Sequence, residues 1–132
     1  MKKLLIIKLG YSETLDNKIS LVTSLGDVLR ATVLLHFFKD YQISWLVADK
    51  ARPLLEKNKY IDKIYDYNRE AMLLLKNKNF DLVINLEKLP EVCLFAESVP
   101  SRQYLGFRLD GLNSLSLNFF SRGKLVKISR SL

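Results

Sequence analysis

Four residues ahead of an apolar stretch, Ser24-Leu25-Gly26-Asp27, hold the chain's best material for chemistry. Ser24 can cap a helix N-terminus, and Asp27, three residues on, can complete a capping box. A carboxylate in the first turn also suits the positive end of the helix dipole. Aimed at a ligand instead, the same carboxylate can take the proton of a sugar hydroxyl as that hydroxyl attacks. The two readings agree on position and differ in rotamer. Arg30 follows on the same helix side, where it can pair with Asp27 or meet an acidic sugar or phosphate. Asp27 argues against a nucleotide phosphate here, because a carboxylate takes the place an anion would want. Neither G-x-G-x-x-G nor a P-loop occurs, which argues against a dinucleotide dehydrogenase.

A second group, Glu87-Lys88, follows the apolar run Phe80 to Leu86 and precedes Pro90. Both can be solvated loop residues. Beside a ligand crevice, Lys88 can meet an acidic group and Glu87 a hydroxyl. Asp49-Lys50-Ala51-Arg52 reads as loop and helix cap. Cys93, the only cysteine, lies in Val92-Cys93-Leu94-Phe95-Ala96 and reads as a buried small hydrophobe. It permits no internal disulfide, in keeping with a reducing compartment. His36, the only histidine, reads as a packed helix position between Leu35 and Phe37. A histidine-rich metal site or a Cys-His pair has little material to work with.

The elements that must position these residues follow from hydrophobic spacing. Leu4 to Leu9 (LLIIKL) is a short apolar run ended by Gly10, suited to a strand buried on both faces. Asp27 to Phe38 reads as a heavily buried helix. Strands are expected at 42–48, 61–67, 80–86 and 104–108, and helices at 51–58, 69–76 and 89–98. Residues 111–123 read as loop, and KLVKIS as a last strand. The βαβαβαβαβ order implies a doubly wound α/β fold with a parallel sheet and right-handed crossovers. With strand order 3-2-1-4-5, the crevice lies at the carboxyl ends of strands 1 and 4. Loops 10–26 and 87–90 then border it.

Composition sets the outer limits. The 132 residues are 48% apolar and 27% charged, enough for one core and too apolar for a disordered chain. The net charge of +7 points to acidic partners or a solvated lysine surface, and five of those charges fall from Arg102 onward. No basic block, basic helix or aromatic stacking motif supports a nucleic-acid partner. The apolar run after Met1-Lys2-Lys3 is shorter than a signal h-region, and no stretch reaches the ~18 apolar residues of a membrane span. The chain reads as cytoplasmic, with room for peripheral contact at the inner membrane face.

Together, LLIIKLG, SLGDVLRATVLL, ISWLVADKARPLLEKNKYIDKIYDY, FDLVINLEKLPEVCLFA and YLGF resemble the N-terminal half of glycosyltransferase family 9, the lipopolysaccharide heptosyltransferases. The resemblance covers nearly all of residues 2–108, and Ser24 to Val28 is its most specific piece. It implies a Rossmann-like sheet forming one half of a GT-B arrangement. It makes Asp27 the catalytic base, and puts Ser24, Gly26, Arg30, Glu87 and Lys88 on the acceptor side. The implied acceptor is an acidic, lipid-linked glycan of the lipopolysaccharide core. A nucleotide-sugar donor, ADP-heptose-like, would be held by a separate donor domain, and this chain itself is expected to bind no cofactor and no metal.

Two departures qualify the resemblance. A full two-domain enzyme needs roughly twice this length. Residues 1–108 are therefore expected to form the acceptor-side domain and 109–132 a poorly defined extension, with the donor domain absent. On that expectation the chain transfers no sugar alone, unless a donor domain or partner chain completes it. The alternative is a non-catalytic transferase half that binds a partner protein or an anionic membrane. Second, Tyr11 to Thr23 reads as an insert between strand and motif. It is either a flap over the acceptor or a tolerated surface loop. Leu25-Gly26 is then the working pair, and Leu9-Gly10 only ends the strand.

Overall fold

In the computed structural model, residues 1–10 and 25–109 are described in full and the strands 114–121 and 124–131 as backbone. β1 (Lys3–Ile7), β2 (Gln42–Val47), β3 (Lys63–Asp66), β4 (Phe80–Asn85) and β5 (Ser101–Leu109) form a parallel sheet. The order is β3-β2-β1-β4-β5, as expected from the alternation of elements, so the reversal falls between β1 and β4.

Alternation within β1 explains its unbroken apolar run. Leu4 and Ile6 pack on one face with Trp45, Val47, Val28 and Leu35. Leu5 and Ile7 pack on the other with Leu46, Val83, Leu75 and Phe95. Successive strand side chains point to opposite faces, so a strand covered twice must be apolar at every position. α1 (Leu25–Ala31) contributes to the first face, while α2 (Arg69–Lys76) and α3 (Pro90–Ser98) cover the second. The fold is therefore α/β, Rossmann-like and doubly wound.

Local chemistry sets the helix limits. The Asn68 side chain accepts from Ala71 N at 2.8 Å and caps α2. Pro90 opens α3, where its missing N–H costs nothing.

Four expectations need correction. The helix predicted over 27–38 is α1 followed by a 3-10 segment, Thr32–Phe37. Tighter winding rotates its faces, which leaves Val33 and Phe37 exposed. His36 in that segment is exposed too, not packed in a core, and its ring tilts against Tyr60 with centroids 5.9 Å apart. The helix predicted over 51–58 shrinks to a 3-10 turn, Arg52–Leu54. Residues 111–123 are not simply loop, because β6 (Ser114–Ser121) lies antiparallel to β5 and β7 (Lys124–Ser131) antiparallel to β6. Ser114-Leu115-Ser116-Leu117-Asn118-Phe119 does alternate polar and apolar residues, the period of a strand, which the loop reading passed over.

Candidate functional site

The carboxyl ends of β1 and β4 meet at a polar junction. β1 ends before Lys8-Leu9-Gly10, and Gly10 adopts φ +101°, a left-handed conformation that glycine takes without a Cβ penalty. The backbone N–H groups of Leu9 and Gly10 both donate to Glu87 Oε1, at 2.8 and 3.1 Å. Lys8 Nζ lies 3.6 Å from the same oxygen and donates to Leu86 O at 3.4 Å. Lys8 and Glu87 are each only 2% exposed, so the pair is a buried one. Burial raises the Glu87 carboxyl above its ordinary pKa of 4.5, and Lys8 with the two N–H donors opposes that rise.

A second ring of bonds holds Glu87 in turn. Its backbone N–H donates to Asn85 Oδ1 at 3.0 Å, while Asn85 Nδ2 donates to Phe107 O at 3.0 Å. Asn85 faces Gly106 across the β4–β5 pairing. Gly106 has φ +109°, and a Cβ there would stand 1.9 Å from Asn85 O. Cys93 donates to Glu87 O at 3.4 Å and is wholly buried. Burial pushes its thiol up to about 12, so it is no nucleophile and packs as expected.

Beside this junction opens a cleft of about 480 Å³, with Lys8, Asp27, Arg30, Lys88 and Phe107 among its walls. α1 brings Asp27 to it in its first turn, 9% exposed, with Arg30 Nη2 donating to Asp27 Oδ1. Arg30 is 80% exposed, so the guanidinium holds Asp27 from the solvent side. Lys88 Nζ lies 5.4 Å from the Phe107 ring centroid, a cation–π contact at the opposite wall. Asp27 thus shares the cleft with two more accessible cations, Arg30 and Lys88, while Lys8 is tied to Glu87. Such a site can attract an acidic ligand and still offer a base.

Of the residues singled out in the sequence, Asp27, Arg30 and Lys88 line the cleft together. Gly26 is exposed beside it, with open space where a Cβ would go. Glu87 is not a solvated loop residue; it is buried behind the cleft floor. Ser24 and the insert 11–23 lie outside the described residues. Lys8 was missed. Its signal was a lone lysine inside an apolar strand run, which is rarely buried without a partner. Among the described residues no three histidine, cysteine or acidic side chains gather to hold a metal. No helix among them is long and apolar enough to cross a membrane.

No family model matches the chain. Lipopolysaccharide heptosyltransferase 1 of Campylobacter coli is 26% identical to it over 115 residues, covering 76% of this chain and 33% of that protein. The chain is heptosyltransferase-like. Its fold agrees: a crystal structure of the glycosyl transferase family 9 from Veillonella parvula DSM 2008 superposes with a TM-score of 0.60 at 17% identity. That match covers 80% of this chain and 31% of the other. This heptosyltransferase-like chain spans about a third of the length of the relatives it matches. Its Rossmann-like sheet is the architecture expected of one half of a GT-B fold.

Proposed function

We propose that the cleft is the acceptor site of a family 9 glycosyltransferase. The observation that carries the reading is the meeting of Asp27 with Lys8, Arg30 and Lys88 in one cleft at the strand-order reversal. In this reading Arg30 and Lys88 hold the carboxylate or phosphate of an acidic glycolipid acceptor of the lipopolysaccharide core type, and Lys8, paired with Glu87, adds positive potential from beneath. Asp27 accepts the proton of the acceptor hydroxyl as its oxygen bonds to the donor's anomeric carbon, and the nucleotide diphosphate leaves. Arg30, exposed to solvent, swings from Asp27 to the acceptor's anionic group. A nucleotide-sugar donor, ADP-heptose-like, is held by a donor domain or partner chain outside the aligned third, and this chain binds no cofactor of its own. Action at the cytoplasmic face of the inner membrane suits such an acceptor.

The test is titration of the chain with an acidic core oligosaccharide. Lys88→Ala should weaken binding about tenfold, in keeping with the loss of one charge-assisted contact. Asp27→Asn should leave binding nearly intact and reduce transfer by about 10²–10⁴-fold once a donor domain is supplied. Unchanged binding in Lys88→Ala together with unchanged transfer in Asp27→Asn would sink the proposal.

A second reading, a non-catalytic role at an anionic membrane, has one observation in its favour. Leu29, Val33 and Phe37 are exposed on α1 and the 3-10 segment, near the basic residues Arg30 and Lys39 in sequence. Co-sedimentation with anionic vesicles, lost in Phe37→Ser, would support it. No sedimentation with the unaltered chain would remove it.

A further inference from the structure

The opposite end of the sheet carries a hollow that the proposed transfer chemistry does not use. Lys3, Lys63 and Phe80 open β1, β3 and β4, and with Ser44, Tyr65 and Lys78 they help enclose about 140 Å³. At ~30 Å³ per liquid water, that space takes a few waters or one phosphate-sized oxyanion.

Tyr65 supplies the first argument. Its side chain is 6% exposed, and its hydroxyl lies buried beside two ammonium groups that can only donate to it, with no acceptor for its own proton among the described residues. A buried hydroxyl proton with no acceptor carries a desolvation cost. Charge supplies the second. Lys63 Nζ and Lys78 Nζ lie 5.1 and 5.8 Å from the Tyr65 ring centroid. Burial works to raise the phenol's pKa, but hydrogen bonding and charge from the Lys78 and Lys63 ammonium groups outweigh it and bring it below its ordinary value.

One acid, Asp62, lines the hollow itself and Asp81 stands nearby; each accepts a backbone N–H, and the three lysines outnumber them. Asp62 Oδ2 accepts from Ile43 N at 2.7 Å. Asp81 Oδ2 accepts from Lys3 N at 2.7 Å, and Arg102 stands 3.9 Å from its Oδ1. Among the described residues, the ammonium groups of Lys3, Lys63 and Lys78 pair with no carboxylate. Positive charge therefore accumulates around one donor that lacks an acceptor.

We propose that this hollow binds a small oxyanion of the phosphate or phosphomonoester class, held between Lys63 and Lys78 and accepting a hydrogen bond from the Tyr65 hydroxyl. Lysine binds phosphate as a point charge, and two lysines converging on one hydroxyl match a tetrahedral oxyanion. Water can satisfy the hydroxyl but not the excess charge. The lysines shift only at their flexible ends, since both are exposed. The site sits at the amino ends of the strands and is independent of Asp27.

The experiment is calorimetric titration of the whole chain with inorganic phosphate at constant ionic strength. A saturable component that depends on Lys63 and Lys78 is expected. Lys63→Gln and Lys78→Gln should each weaken it about tenfold, and Tyr65→Phe by less. Absorbance titration, read as the difference from Tyr65→Phe, should show phosphate moving the Tyr65 pKa upward, since a nearby anion disfavours phenolate. A sugar phosphate run in parallel assigns the source: equal affinity means a site open to phosphomonoesters, and weaker affinity one closed around the free ion. No saturable binding, or equal affinity in both lysine variants, would mean the hollow holds water only and would overturn the proposal.

Discussion

The two walls of the cleft are built differently. On the β1–β4–β5 wall, Glu87, Asn85 and Cys93 are buried and each has named partners, and Gly106 has no room for a Cβ. On the α1 wall, Asp27 is held by an arginine that is mostly in solvent, and Gly26 faces open space. One wall is a framework whose groups satisfy one another. The other keeps its charges where a ligand can reach them. A site that must be both accurate and open divides its labour this way, because a fully satisfied buried network has no valence left for a ligand.

The comparison is sharpest at Glu87. Glu87→Ala should destabilise the fold by about 3–5 kcal/mol in urea denaturation, since it removes the counter-charge beside the buried Lys8 ammonium and the acceptor of two backbone donors. A loss under about 1 kcal/mol would mean the framework wall is not a framework. Gly106→Ala comes next. Its positive φ and the approach to Asn85 O should together cost roughly 2–4 kcal/mol by the same measurement.

A smaller effect is read in pH. The folded protein holds the Glu87 proton to higher pH than the unfolded chain does. Stability contributed by Glu87 is therefore full below its ordinary value of 4.5 and declines as pH rises from there through the raised folded value. In Glu87→Gln that decline should disappear, and an unchanged pH profile would contradict the burial argument. Smallest are the changes on the α1 wall. Arg30→Ala and Gly26→Ala should each alter stability by no more than about 1 kcal/mol. A larger loss at either would erase the distinction between the walls.

The fold was largely legible from spacing. The strand order and the cleft between β1 and β4 followed from alternating apolar runs, and Asp27, Arg30 and Lys88 fell where that order put them. Glu87 was singled out as well, but its burial was not legible. Nothing in Leu86-Glu87-Lys88 distinguishes a buried carboxylate from a solvated one. The difference comes from Leu9 and Gly10, more than seventy residues away, whose N–H groups need an acceptor at the end of β1. Lys8, Gly106 and Tyr65 were hidden for the same reason, since each is defined by a neighbour on another segment of the chain.

By itself the sequence determined what repeats along the chain: apolar runs for strands, helical spacing, caps, and the polar residues at strand ends. Tertiary structure alone decided which polar groups went inside, how tightly the segment after α1 wound, and that residues 114–121 pair along the β5 edge. Periodicity is written in neighbouring residues and can be read locally. Burial and hydrogen-bond satisfaction depend on what another segment places opposite, and that is set only when the segments meet.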